Sequence, residues 1–178
     1  MKKIILSLFA CICMSVGVQA QKANDLADLN TVLSKIPEIK AGDKMSSPQI
    51  EKSLDVVLEK QIIWNVLLDK NSYTKVEASF GYPIAYYKRT DKVIVLLYGT
   101  GEKGNAISHF MNIVTFNAKT GKRIDALLMI GAYAGTTNAV AALSLSKDLK
   151  KVTISTIASS TTDVVFDISD KGKVKDSK

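Results

Sequence analysis

The spacing of hydrophobic positions changes from helical to strand-like about two-fifths of the way along the chain. Over residues 23–36, Leu26, Leu29, Val32, Leu33 and Ile36 recur three and four apart, which predicts an amphipathic helix. Asn24 or Asp25 can cap its start and Pro37 stops it. After the linker PEIKAGDKM, Ser46-Ser47-Pro48 places a capping residue before a proline in the first turn. The pattern then predicts a second helix from Pro48 to about Lys70, with Ile50, Leu54, Val57, Leu58, Ile62, Trp64 and Leu68 on one broad face. Val56, Ile63, Val66 and Leu67 fall outside that face, so the stretch IIWNVLL is apolar nearly all round. Such a helix is either wedged deep against a sheet or packs on one side and presents Trp64 to a partner on the other.

From Tyr73 onward the chain reads as β-structure. Tyr73–Phe80 alternates through Val76, Ala78 and Phe80, Gly81-Tyr82-Pro83 breaks it, and Ile84–Lys88 forms a short strand before the Arg89-Thr90-Asp91 turn. Lys92–Ile130 is the organising stretch: KVIVLLY, the loop GTGEKG, NAISHFMNIVTFN, the turn AKTG, and KRIDALLMI. Apolar runs rich in β-branched and aromatic residues, separated by glycine-containing turns, predict consecutive antiparallel strands. Further strands follow over 139–146, 152–158 and 163–169, and DKGKVKDSK ends the chain as a turn and polar tail.

The expected fold class is therefore α+β, an N-terminal helical pair packed on an antiparallel β-meander sheet of about seven or eight strands. The boundaries are a leader over 1–20 and one domain over 21–178, divided into a helical segment over 22–70, a sheet over 73–169 and a tail over 170–178. Val152, Ile154 and Thr156 oppose Thr153 and Ser155, and Val164, Phe166 and Ile168 oppose Asp167, so these strands have one dry and one wetter face. VIVLLY and ALLMI are apolar on both faces and are expected to be central strands covered twice. The helices cover one face. The other calls for sheet curvature, a loop lid or a second molecule, and that shortfall points toward a partner.

The first residues carry an address. Lys2 and Lys3 precede the apolar run Ile4–Val18, and Val18-Gln19-Ala20 supplies small residues for cleavage after Ala20. The run is shorter than the roughly 20 residues a membrane-spanning helix needs, so no transmembrane segment is expected after cleavage. The expected location is the periplasm or the cell surface. Leu8-Phe9-Ala10-Cys11 offers lipoprotein anchoring through Cys11 as the rival, but Phe9 is bulky for a lipobox and the new N-terminus would be apolar. Cys11 and Cys13 both lie in the leader, which removes disulfides, thiolate zinc sites and cysteine nucleophiles from the rest of the chain.

Without Lys2 and Lys3 the formal net charge falls from +7 to +5. The lysines are scattered along the sequence, and no basic stripe with interleaved aromatics suggests nucleic acid. Gly99-Thr-Gly101-Glu-Lys-Gly104 is a literal GxGxxG after a strand, but a dinucleotide fold requires it to open a helix, and here SHFMNIVTFN follows. Glycines serving a hairpin loop explain it better. His109 is the only histidine, and no GxSxG serine accompanies it. With one histidine and no cysteine in the domain, zinc has no ligand set, and no DxDxDG calcium loop occurs. Asp163 with Asp167, and Glu51 with Asp55, are explained by surface spacing. No catalytic residue, metal or cofactor is assigned.

Tyr82, Pro83, Tyr86 and Tyr87 bring four rigid side chains into six positions, a composition found in binding surfaces. Tyr133 in GAYAGTTN marks a second loop. The candidate partner-binding residues are therefore Trp64, Tyr82, Tyr86, Tyr87, Gly99, Gly101, Gly104 and Tyr133. The MKKIIL…VQA-Q leader together with VTFNAKTGKRIDALLMIGAYAG and LSKDLKKVTIST resembles small uncharacterised exported proteins of Bacteroidetes-type bacteria. That resemblance covers about a third of the chain; it implies a periplasmic or surface setting and a helix-covered antiparallel sheet, and carries over no site residue. The expected role is an exported, non-catalytic binding or inhibitor-like module that docks a protein partner in the envelope. The alternatives are a small envelope hydrolase with a carboxylate site and a structural subunit that self-associates.

Overall fold

The computed structural model describes residues 25–59, 62–67, 80–101, 108–133, 139–157 and 161–177. The leader, the strand expected over 73–79, Gly104 and positions 134–138 and 158–160 lie outside the described residues. The described chain is mostly β, with few helices. Its strands are β1 (Lys44–Ser46), β2 (Phe80–Thr90), β3 (Val93–Gly101), β4 (Ser108–Asn117), β5 (Arg123–Tyr133), β6 (Ala139–Leu145), β7 (Lys151–Ile157), β8 (Thr161–Ile168) and β9 (Val174–Asp176). They form two antiparallel sheets, one of four strands in the order β2-β3-β4-β5 and one of five in the order β1-β6-β7-β8-β9. The single meander of seven or eight strands expected from the sequence is thus divided in two, with the connection after Tyr133 carrying the chain from the first sheet to the second.

Alternation along β3 explains why both of its faces are apolar. Val93, Val95 and Leu97 join Met111 and Ile113 of β4 in a core shared with Leu143, Val152, Ile154 and Phe166 of the second sheet. Ile94, Leu96 and Tyr98 join Val114 and Phe116 on the opposite face, where Leu29, Val32, Ile36, Leu58, Val66 and Leu67 cover them. The chain's own second sheet therefore fills the face that had pointed toward a partner. β3 is internal and covered twice as expected, whereas the ALLMI segment belongs to β5 and lies at the edge of its sheet.

The helical part departs further from expectation. Residues 25–33 are helical and supply Leu29 and Val32 to the outer core. The helix expected from Pro48 to Lys70 is, over its described residues, one α-turn (Ser47–Glu51), a 3-10 turn (Lys52–Asp55), an extended stretch over 56–59 and a π-helical turn (Ile63–Leu67), while 60–61 and 68–70 lie outside the described residues. Ile50 packs between the sheets, while Leu58, Val66 and Leu67 pack on the outer face. One straight helix presents one stripe, so a segment serving two cores has to break. The break begins where the Ser53 hydroxyl donates to the Ile50 carbonyl at 2.5 Å, a local bond that competes with helix continuation. Among the described residues no helix is long and apolar enough to cross a membrane.

Backbone and side-chain bonds tie the sheets together at both edges. Beside β2, the Ile39 N–H donates to the Tyr86 carbonyl at 2.9 Å and the Tyr86 N–H to the Pro37 carbonyl at 3.1 Å. The same segment then reaches β6 through Gly42 N–H to the Leu145 carbonyl at 3.0 Å and continues into β1. At the other edge the Thr115 hydroxyl donates to the Gly172 carbonyl at 2.6 Å, and the Val174 N–H donates to Asp125 Oδ2 at 3.1 Å. Neither sheet presents a long free edge at these places.

Candidate functional site

Strand register decides which of the candidate residues meet. Gly-Tyr-Pro does not break the chain; β2 runs through it, with a bulge between Pro83 and Ala85. The extra residue shifts the phase, so Tyr82, Ile84, Ala85 and Tyr87 all reach the inter-sheet core while Tyr86 points to the outer one. Proline is tolerated because β2 is an edge strand. Tyr82 and Tyr87 are 7% and 1% exposed, so the tyrosine cluster is not a surface patch. Tyr86 is half-buried against the outer core.

Burial also governs the chemistry of these phenols. It pushes the Tyr82 hydroxyl up to about 12. It raises Tyr87 further, partly offset by the charge of Arg89. The Tyr87 hydroxyl has no hydrogen-bond partner among the described residues. Both rings are neutral core residues rather than acid–base groups at ordinary pH.

The GTGEKG segment is likewise not a loop from its first glycine. Gly99 lies inside β3 directly opposite Tyr82, and Gly101 is the last residue of β3, opposite both Phe80 and His109. A Cβ at Gly99 would stand 2.0 Å from Tyr82 Cζ, so this glycine makes room for an aromatic ring. The next described residues, Ser108–Asn117, form strand β4 rather than a helix. A phosphate cradle needs a helix N-terminus there, and the strand removes it.

The register does bring one group of candidates together. Phe80 pairs with Gly101, Gly101 with His109, His109 with Ala132, and Ser108 with Tyr133. Four neighbouring strand ends therefore place Gly101, His109 and Tyr133 at one end of the first sheet. The backbone of Trp64 belongs to the π-helical turn on the outer face, anchored by Arg123 Nη2 donating to the Val66 and Leu67 carbonyls at 2.8 and 3.1 Å. Gly104 lies outside the described residues.

The chain around that end is short of charge. Residues 93–101, 104–118, 126–146 and 152–162 contain no aspartate, glutamate, lysine or arginine. The turns after β2, β4 and β6 lie at the opposite end, and residues 88–92, 118–123 and 147–151 hold seven lysines and two arginines. Part of the positive charge that is scattered along the sequence is thereby gathered in space, because alternate connections of an antiparallel sheet return to the same end. Two buried or half-buried charged residues also escaped the sequence reading. Arg89 is 9% exposed, donates through Nε to the Ile168 carbonyl at 3.1 Å and pairs with Asp170, which locks β2 to the second sheet. Asp125 receives Val174 N–H and stands 3.8 Å from Lys173 Nζ. Both lie next to turns, and nothing in their local sequence separates them from solvated charges.

Among the described residues no three histidine, cysteine, aspartate or glutamate side chains gather as a metal site. Comparison with protein-family models, with curated proteins and with solved structures found no match.

Proposed function

We propose that this chain is an exported, non-catalytic binding module of the bacterial envelope, docking a protein partner through the charge-poor end that carries Gly101, His109 and Tyr133. In this reading the domain is α+β, its N-terminal helical segments cover the four-stranded sheet, and the sheets hold the strand ends in fixed register. One observation carries the proposal: strand ends that converge in register from β2 to β5 are built from sequence free of charge over 93–101, 104–118 and 126–146. Centres of protein–protein interfaces are depleted in charge and enriched in tyrosine. Glycine and threonine at strand ends allow backbone to approach a partner closely.

The test introduces charge there. Tagged chain is captured from crosslinked envelope of its own cells beside Tyr133→Lys, with Ala126→Lys, an exposed position on the same strand, as the control. The expected result is one dominant co-captured protein, retained by Ala126→Lys and lost with Tyr133→Lys. Equal capture by all three proteins, or none by the folded wild type, contradicts the reading.

A further inference from the structure

The turns at the opposite end hold the chain's excess of positive charge. Residues 88–92 contain two lysines and an arginine against one aspartate. Residues 118–123 contain two lysines and an arginine with no acid, and residues 147–151 contain three lysines against one aspartate. The excess over these three segments equals the formal net charge of the whole chain, +7. Backbone bonds draw the segments together. Ala118 N–H donates to the Lys92 carbonyl at 2.9 Å, and Ile168, which accepts from Arg89, donates its N–H to the Lys150 carbonyl at 2.7 Å.

The side chains of Lys88, Lys92, Lys119, Lys122, Lys147 and Lys150 are exposed, and none is ion-paired among the described residues. Of the nearby acids Asp91 is exposed in the first turn, while three others are occupied locally. Asp148 accepts from the Ser146 hydroxyl at 2.6 Å and from Lys150 N–H at 3.1 Å, bonds that shape the turn and hold its carboxyl below the usual range. Asp125 and Asp170 are engaged with β9 and Arg89.

Lysines solvated for solubility alone would be spread over both ends. Here one end is basic, while the opposite strand ends are built from sequence poor in charge, with Glu102 and Lys103 of opposite sign in the β3–β4 connection, so the molecule carries a field that orients it. We propose that the basic turn end docks on an anionic lipid surface. Lysine is a compact, hydrated point charge without arginine's bidentate fork, which suits attraction to many headgroups better than recognition of one phosphate. No aromatic platform stands among the six lysines to stack bases, as single-stranded nucleic acid would require. Each lysine held near an anionic bilayer adds attraction that fades within a Debye length, so binding should be additive and salt-sensitive. This inference does not rest on the protein-partner reading.

The test is flotation of the purified chain with phosphatidylcholine vesicles and with vesicles also containing phosphatidylglycerol. The chain should float only with the anionic vesicles and be released by salt. Lys92→Gln, Lys119→Gln and Lys147→Gln together should weaken binding at least about tenfold, and all six changes at least about a hundredfold. Changing Lys52, an exposed lysine outside these turns, to glutamine should weaken it less than Lys119→Gln alone does. All variants should keep the wild-type thermal midpoint within about 2 °C, because exposed unpaired lysines contribute little to stability. Three results overturn the proposal: no flotation of the wild type with anionic vesicles, equal weakening by Lys52→Gln and Lys119→Gln, or tighter binding to soluble polyglutamate than to the vesicles.

Discussion

The ring of Tyr82 lies across Gly99, its partner on the neighbouring strand, so closely that a Cβ on Gly99 would stand 2.3 Å from the tyrosine hydroxyl oxygen. The pair lies two residues from the Phe80–Gly101 pairing at the strand ends. It explains the first glycine of GTGEKG without any ligand. Gly99→Ala should destabilise the fold by about 3 kcal/mol, because ring or strand has to move. Tyr82→Leu should cost about 2 kcal/mol through lost contact area. The double variant should cost about 1–2 kcal/mol less than the two single losses combined. Urea unfolding of the four proteins measures this, and strict additivity would remove the explanation.

Tyr87 makes the opposite case for a polar group. Its hydroxyl is buried and unpartnered among the described residues, so folding strips it of water without return. Tyr87→Phe should leave stability unchanged or raise it by up to about 1 kcal/mol. Thermal and urea unfolding should show this. A loss of about 2 kcal/mol or more would mean that the hydroxyl has a hydrogen-bond partner in solution.

The same two phenols set an alkaline limit. Tyr82 is raised from 10.0 to about 12 and Tyr87 is raised as well, both by burial. Below about pH 10 the folded and unfolded chains both keep these protons, and the pair adds no pH dependence. Above it the unfolded chain ionises first, so stability falls by up to about 1.4 kcal/mol per pH unit for each tyrosine. For Tyr82 the fall should continue to about pH 12. Urea midpoints from about pH 8 to about pH 12 should show the fall, and Tyr82→Phe or Tyr87→Phe should flatten it. An unaltered slope in both variants would show that other groups are responsible.

Arg89 should matter more than the acid it meets. Its side chain is 8% exposed and that of Asp170 is 76% exposed. Arg89→Ala removes the bond to the Ile168 carbonyl and opens the joint between the sheets, at about 2–4 kcal/mol. Asp170→Asn keeps an acceptor in water-rich surroundings and should cost about 0.5–1 kcal/mol. Equal losses in the two variants would argue against the joint.

The hairpins were legible because β-branched and aromatic runs alternate with glycine turns, and β3 and β4 follow that pattern closely. Asn117 shows how local the signal is: its Oδ1 accepts from Lys119 and Thr120 N–H at 3.0 and 3.1 Å, the bonding expected of asparagine at a turn. The division into two sheets was not legible, because no residue type marks a connection that changes sheet. Residues 48–70 misled for a related reason: an apolar pattern on every side of a supposed helix is also what a broken segment shows when it supplies Ile50 to one core and Leu67 to another. The tyrosines looked like a surface because a bulge at Ile84, invisible in composition, moved Tyr87 onto the face of Tyr82. The segregation of charge depends on register and emerges only once the turns are assigned to one end.

Site-specific photocrosslinking in the native envelope distinguishes the two ends of the molecule. A photoreactive phenylalanine analogue is placed at Tyr133 in one protein and at Lys119 in another. A partner docked at the strand ends gives one discrete protein adduct from position 133 and no protein adduct from position 119. Protein adducts from position 119 alone, or the same adducts from both positions, would contradict it.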